Sequence, residues 1–299
     1  MTPGTTHEQR TVAEHREADI HAVNLIGIDS PTHDLTATVQ FLPGQWLDVH
    51  IPGVAQAGGF TITSTPEDLE RRKYLELAVK LSPKNPPAAW LWQEKSKILH
   101  STLQIRVGGS FVWPPPNIDR KTIKRLVFVA GGVGIKYVVL PQLLPDQYAD
   151  WTLPGSPLIS ILTHLHQRPK QRPPALTFLY SARKDPSGDL SSILFLDRLQ
   201  RAFPRDKSLP NWSFELFVTN THPESRSAEA QETAATGARK IPYRRLAKED
   251  LLSALGPVNE RNETVCYVCG PPGMTDWAVE TIKDARGMDP QKVLCEKWW

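Results

Sequence analysis

The run from Leu126 to Ile135, Leu-Val-Phe-Val-Ala-Gly-Gly-Val-Gly-Ile, constrains the fold of this chain more than any other segment. Apolar, partly β-branched residues break abruptly into Gly131, Gly132 and Gly134, and helix-compatible residues follow from Ile135 to Leu144. Such an uninterrupted apolar strand is covered on both faces, which places it in a parallel sheet. A turn without side chains lets a ligand approach the backbone. The helix start beyond it offers unpaired N–H groups and partial positive charge, which suit a phosphate. A second strand end near the C-terminus repeats the device: Val265-Cys-Tyr-Val-Cys-Gly-Pro-Pro-Gly-Met274. Two such ends in one sheet are where α/β proteins bind nucleotides.

Upstream the rhythm differs. Segments 20–29, 34–41, 45–51, 59–64, 74–81 and 103–107 are short, β-prone and divided by turn signals such as Pro43-Gly44, while 88–99 fits one helix. Six such strands predict a small antiparallel barrel over 20–116. Pro114, Pro115 and Pro116 read as a stiff linker. From 124 onward strands at 126–130, 175–181, 212–219, 264–269 and 293–296 alternate with helices at 135–144, 194–202, 248–255 and 274–286. That rhythm predicts a Rossmann-like α/β domain with a parallel sheet over 117–299. The fold class expected is therefore all-β plus α/β. Residues 1–19 are polar and read as a disordered terminus, 145–174 as a proline-rich surface insertion, and 221–240 as a mobile loop.

A chain of 299 residues suggests about two domains, in agreement with that division. A net charge of +3 gives no basic face for nucleic acid. Three cysteines do not make a disulfide framework and point to a reducing compartment. The first twenty residues lack an apolar core and carry Glu8, Glu14, Glu17 and Asp19, which argues against a secretory signal or transit peptide. The expectation is an intracellular protein, cytoplasmic or mitochondrial. The most apolar long window, 126–144, contains Lys136, three glycines and Pro141, so no membrane span is expected. Cys266 and Cys269 stand three apart in a strand, on opposite faces, and no second Cys/His pair completes a zinc site. His164 and His166 fall in the proline-rich segment and are not read as a site, so no metal is expected. No Ser-His-Asp set and no pair of catalytic carboxylates stands out.

A barrel followed by a nucleotide-binding α/β domain resembles the ferredoxin–NADP reductase superfamily, and the motifs occur in that superfamily's order. Gly58-Gly-Phe-Thr-Ile-Thr-Ser64 sits where its flavin-holding Arg-x-Tyr-Ser lies, Gly132-Val-Gly134-Ile135 matches its Gly-x-Gly-Ile turn, and Cys269-Gly270-Pro271-Pro272 matches its Cys-Gly-Pro-Pro. Gly59-Phe60, Asn85-Pro-Pro-Ala-Ala-Trp90 and the ending Glu296-Lys-Trp-Trp299 resemble the subgroup called oxidoreductase NAD-binding domain-containing protein 1. The resemblance covers residues 20–299.

It implies a flavin-dependent NAD(P)H oxidoreductase. A hydride passes from nicotinamide to flavin, and electrons go on to an acceptor, either a protein or a small molecule. The flavin, FAD or FMN, is held by Phe60, Thr61, Ile62, Thr63 and Ser64, with the Thr61 and Thr63 hydroxyls aimed at its ring. The nicotinamide nucleotide is held by Gly131, Gly132, Val133, Gly134, Ile135, Cys269, Gly270, Pro271, Pro272 and Met274. Cys269 and Thr61 are the candidate catalytic residues, and Trp299 is a candidate to stack on the flavin. Two positions depart from the pattern. Gly58 stands at the flavin-phosphate arginine and Phe60 at the stacking tyrosine; Lys80, Lys84 or the backbone near 87–89 are possible substitutes. The loss of a charge-assisted bond at 58 is worth about 1.5–3 kcal/mol. The strand end 218–221 carries no arginine for a 2′-phosphate, although Arg183-Lys184 offers charge elsewhere, so NADH is favoured. The alternative is a degenerate reductase that binds a nucleotide or a protein partner without catalysis.

Overall fold

The computed structural model describes residues 8–14, 23–29, 39–72, 75–80, 84–98, 101–131, 157–183, 190, 193, 195–203, 208–219 and 241–297. The chain divides into two compact units, residues 1–113 with 136–167, and residues 114–135 with 168–299.

The first unit holds strands β1 (Glu8–Glu14), β2 (Val23–Asp29), β3 (Trp46–His50), β4 (Gly58–Ile62), β5 (Leu75–Lys80) and β6 (Thr102–Gly108). All neighbours run antiparallel in the order β1-β2-β5-β4-β3-β6, and β1 also pairs with β6, closing a barrel. Alternation along the strands decides what faces inward. Leu47, Val49, Phe60, Ile62, Leu75, Leu77, Val79, Leu103 and Ile105 are buried and form one core. The partners on the other face are polar or small, such as the Asp48–Arg106 ion pair across β3 and β6.

Among the described residues this unit has the helices α1 (Pro66–Arg72), α2 (Pro86–Leu91), α3 (Lys95–Ile98) and α4 (Pro157–Gln167). The helix expected over 88–99 is two short helices broken at 92–94. Three other expectations change here. The terminus read as disordered supplies β1, whose backbone pairs on both sides with β2 and β6. The strand expected over 34–41 lies largely outside the described residues, and 39–42 is not strand. The segment read as a surface insertion contains α4, which buries Leu158, Ile159, Ile161, Leu162 and Leu165. Its apolar period, masked in the sequence by flanking prolines, makes it a core helix of the first unit. It is tied to α1 by side chains. Thr65 and Asp68 cap α1 reciprocally, the Asp68 N–H donating to Thr65 Oγ1 at 3.1 Å and the Thr65 N–H to Asp68 Oδ2 at 3.0 Å. Gln167 Nε2 donates to Asp68 Oδ1 at 3.0 Å, and Ser160 Oγ donates to the Ser64 carbonyl at 2.8 Å.

The second unit is a five-stranded parallel sheet of β7 (Arg125–Gly131), β8 (Ala175–Arg183), β9 (Trp212–Thr219), β10 (Thr264–Gly270) and β11 (Val293–Lys297), in the order β11-β10-β7-β8-β9. Helices α5 (Leu196–Ala202), α6 (Lys248–Ala254) and α7 (Pro272–Lys283) accompany it. The expected helix over 135–144 and the loop over 221–240 lie outside the described residues. One sheet face is aliphatic, with Val127, Val129, Cys266 and Val268 packed against Leu251, Leu255, Ala278 and Ile282. The other is aromatic: Phe128 meets Phe178 at 5.5 Å and Tyr267 at 5.8 Å, both edge to face. No described helix is long and apolar enough to cross a membrane.

Candidate functional site

Strand order fixes where the second unit can hold a ligand. The chain runs from β7 outward through β8 and β9, then returns to the other side of β7 as β10 and β11. The reversal falls between β7 and β10, and ligands of open α/β sheets bind beyond the strand ends at such a point. Both motifs singled out in the sequence end there. Gly131 closes β7 and Gly270 closes β10, and a Cβ built on Gly270 would stand 3.0 Å from the Gly131 Cα. Only glycine allows the two strand ends to approach so closely.

Gly131 also serves α7. A Cβ there would lie 2.6 Å from Met274 Cε and 2.8 Å from Pro271 Cδ. Met274 therefore fills space at this turn as a packing residue, and Pro271 sits at the N-cap with no side-chain cap for α7. Pro272 lacks an N–H, but Gly273 and Met274 present theirs at an uncapped start, and the space around Gly273 is open within 4 Å. That suits a phosphate. The residues present fit a nicotinamide nucleotide.

One layer below the glycines the pairing sets a row on one sheet face: Glu296, Cys269, Ala130 and Tyr180 on β11, β10, β7 and β8. Cys269 is buried and Ala130 leaves a low point between it and Tyr180. Glu296 was not singled out from the sequence. Its Oε2 is buried with no hydrogen-bond partner among the described residues, and burial pushes its carboxyl up to about 7. The carboxylate side chain in the ending Glu296-Lys-Trp-Trp299 was legible, but its burial beside Cys269 depends on strand register. Burial also raises Cys266 and Tyr180, so Cys266 stays a thiol in the aliphatic core. Among the described residues no cluster could hold a metal. Gly132, Val133, Gly134, Ile135 and Trp299 lie outside the described residues.

In the first unit the candidates lie on β4. Register pairs Leu47 with Phe60 and Trp46 with Thr61, and directly opposed residues share a face. Phe60 therefore points inward, a member of the barrel core, and Ile62 does the same. The expectation that Phe60 covers a flavin face gives way, since a one-residue change of parity exchanges the two faces. Thr63 is also occupied otherwise: its hydroxyl donates to the Glu76 carboxylate, while Ser64 Oγ accepts the Glu76 N–H at 2.9 Å. Thr61 is different. It is 4% exposed, faces outward, and its hydroxyl engages none of the described residues. Beside it Trp46 lies across two glycines: a Cβ on Gly108 would sit 2.7 Å from Trp46 Cη2, and one on Gly109 2.8 Å from Cδ1. Tested against a flavin, the ring has a hydroxyl and an indole to meet. The phosphates have no cation at 58, and Phe60 and Pro87 occupy the space of a side chain there.

No family model matches the chain. It is 31% identical over 314 residues to oxidoreductase NAD-binding domain-containing protein 1 of Xenopus laevis, spanning 99% of this chain and 84% of that protein. Among solved structures it resembles the flavohem-like FAD/NAD binding domain of nitric oxide dioxygenase from Vibrio cholerae, with a TM-score of 0.63 at 14% identity over 97% of this chain and 98% of that one. It also resembles the ferredoxin-NADP+ reductase of Plasmodium falciparum, with a TM-score of 0.60 at 14% identity over 98% and 96% of the two chains. At those identities the structures speak for the two-domain fold.

Proposed function

This chain belongs to the family of oxidoreductase NAD-binding domain-containing protein 1, and from that premise we propose that it is an NAD(P)H oxidoreductase that works with a flavin and passes electrons to a further acceptor. The observation that carries the reading is the row Glu296–Cys269–Ala130 beneath the Gly131–Gly270 contact, at the sheet's switch point. It combines a close backbone approach, an uncapped helix start and a carboxyl whose proton is held near neutral pH. Perturbed acids in such clefts mark functional sites.

In this reading the nucleotide's phosphates lie against the Gly273 and Met274 N–H groups. Gly270 lets the nucleotide cross the strand end without a side chain in the way. Cys269 is small and apolar enough to let the nicotinamide ring settle and to exclude water. Glu296 keeps its proton beside it, available at the strand end. A flavin bound to the other unit would supply a two-electron acceptor able to release electrons singly. NADH is favoured over NADPH, because the strand end 218–221 carries no arginine, and the Thr219 hydroxyl donates to the Ala182 carbonyl at 3.2 Å. The rival reading, nucleotide binding without catalysis, rests on the filled space at Gly58.

The test is anaerobic addition of NADH to the purified chain with excess flavin, followed near 450 nm, roughly where oxidised flavins absorb. Bleaching that scales with protein concentration is expected. Tight NADH binding without bleaching would move the function to the rival reading.

A further inference from the structure

A nicotinamide ring seated over Cys269 comes close to one titratable side chain. Cys269 and Glu296 are register partners on β10 and β11, so the two positions stand about one strand spacing apart, roughly 4.8 Å. Glu296 Oε2 is out of water and has no hydrogen-bond partner. Burial raises this carboxyl to about 7, so around neutral pH it is neither fully protonated nor fully ionised. The titratable groups about it, among the described residues, leave that balance to burial. Lys297, the next residue, belongs to the opposite sheet face and is paired with Asp276 of α7 at 2.6 Å. On the face of Glu296, β10 carries Cys269 and Tyr267 and β8 carries Tyr180; burial pushes both tyrosines up, so they stay neutral. β7 presents Ala130 and Phe128, which do not titrate.

The two forms of the nucleotide differ in charge at this ring and nowhere else. NADH has a neutral dihydropyridine, and NAD+ has a pyridinium with a full positive charge. An opposite charge within about 4–6 Å favours an ionised carboxyl, and a neutral ring does not. Groups that meet the phosphates, riboses or adenine act on both forms alike, so only a group beside the ring can tell them apart by charge. We infer that Glu296 sets the discrimination between oxidised and reduced nucleotide: NAD+ binding expels the Glu296 proton, and NADH binding leaves it in place. The inference rests on the nucleotide reading of this row and adds a regulation to it. Raising the pH through 7 ionises Glu296, tightens NAD+ and leaves NADH unchanged. By reciprocity, NAD+ weakens the hold of Glu296 on its proton by the factor by which ionisation strengthens NAD+ binding. The protein therefore releases oxidised nucleotide most readily while the carboxyl is protonated and retains it as the carboxyl ionises.

The experiment is calorimetric titration of the full chain with NADH and with NAD+ at pH 6, 7 and 8 and constant ionic strength. The ratio Kd(NAD+)/Kd(NADH) is expected to fall about fivefold from pH 6 to pH 8, the result of a tenfold loss of proton affinity at a carboxyl poised at about 7. Titration at pH 7 in two buffers of different ionisation heat should show up to about half a proton released per NAD+ bound and none per NADH. Glu296→Gln keeps the shape of the side chain and cannot ionise, so its ratio should stay constant within about twofold over the same range. A constant ratio in the wild type, or a glutamine variant that follows the wild-type slope, would overturn the inference while nucleotide binding stands. If neither nucleotide binds, the reading of this row as a nucleotide site falls and takes the inference with it, a distinct result.

Discussion

Gly58 and Gly59 are adjacent in one strand and face opposite sides, which makes them a matched pair for testing the parity of β4. An alanine Cβ at 58 would lie 2.5 Å from two Phe60 ring carbons and 2.7 Å from Pro87 Cβ. Ordinary carbon contacts begin near 3.5 Å, so the overlap is about 1 Å against a buried ring and a proline. Overpacking of that kind costs roughly 1–3 kcal/mol. At 59 the same methyl meets nothing within 4 Å. Both substitutions remove the same backbone freedom, worth about 0.5–1 kcal/mol in favour of alanine, so their difference isolates the overlap. Gly58→Ala should therefore be less stable than Gly59→Ala by about 1–3 kcal/mol in urea unfolding followed by tryptophan fluorescence. Adding Phe60→Leu to Gly58→Ala should recover part of the loss relative to Phe60→Leu alone, because the clashing ring is gone. Equal stability of the two alanine variants within about 0.5 kcal/mol, or the reverse order, would refute the inward orientation of Gly58 and Phe60.

Three further outcomes are expected. Glu296 carries its proton up to about 7 in the folded chain against an ordinary value of 4.5, so its contribution to stability is full below pH 4.5 and is lost as pH rises towards 7. Glu296→Gln should then gain up to about 3 kcal/mol on wild type at pH 8 and nothing at pH 4, in urea unfolding at the two pH values; a constant difference would contradict the burial argument. Gly131→Val should weaken NADH binding at least about tenfold in calorimetric titration while flavin binding to the first unit persists, and unchanged NADH affinity would remove this turn from the site. Thr65→Ala should cost about 1–2 kcal/mol through the lost cap of α1, with Thr65→Ser near wild type; equal losses for both would show that the hydroxyl is not what matters.

Periodicity made the parallel sheet legible because its strands are buried on both faces. The apolar runs at 126–130 and 264–269 have no other stable home, and their glycine ends lie at the strand reversal where the order β11-β10-β7-β8-β9 puts them together. Alternation gave the barrel's core as well, yet it left two questions that only pairing answers. The polar stretch 8–14 has little apolar signal because it joins the barrel by backbone hydrogen bonds to β2 and β6. On β4 the sequence Gly58-Gly59-Phe60-Thr61 offers either parity, and the motif resemblance assigned residues of both parities, Phe60 and Thr61, to the flavin. The partner strand decides otherwise: Leu47 faces Phe60 and Trp46 faces Thr61, so the aromatic ring is spent on the core and the hydroxyl is left on the outer face. Glu296 shows the same dependence in the second unit. As a residue it is one carboxylate among many, and it becomes chemically distinct only when β11 sets it level with Cys269 and takes its Oε2 out of water. Local pattern thus determines which elements form, while register between elements determines which of their side chains reach a ligand. A single-residue shift on β4 is enough to exchange an outer-face position for a core position, and the observed register puts Phe60 in the core and Thr61 on the outer face.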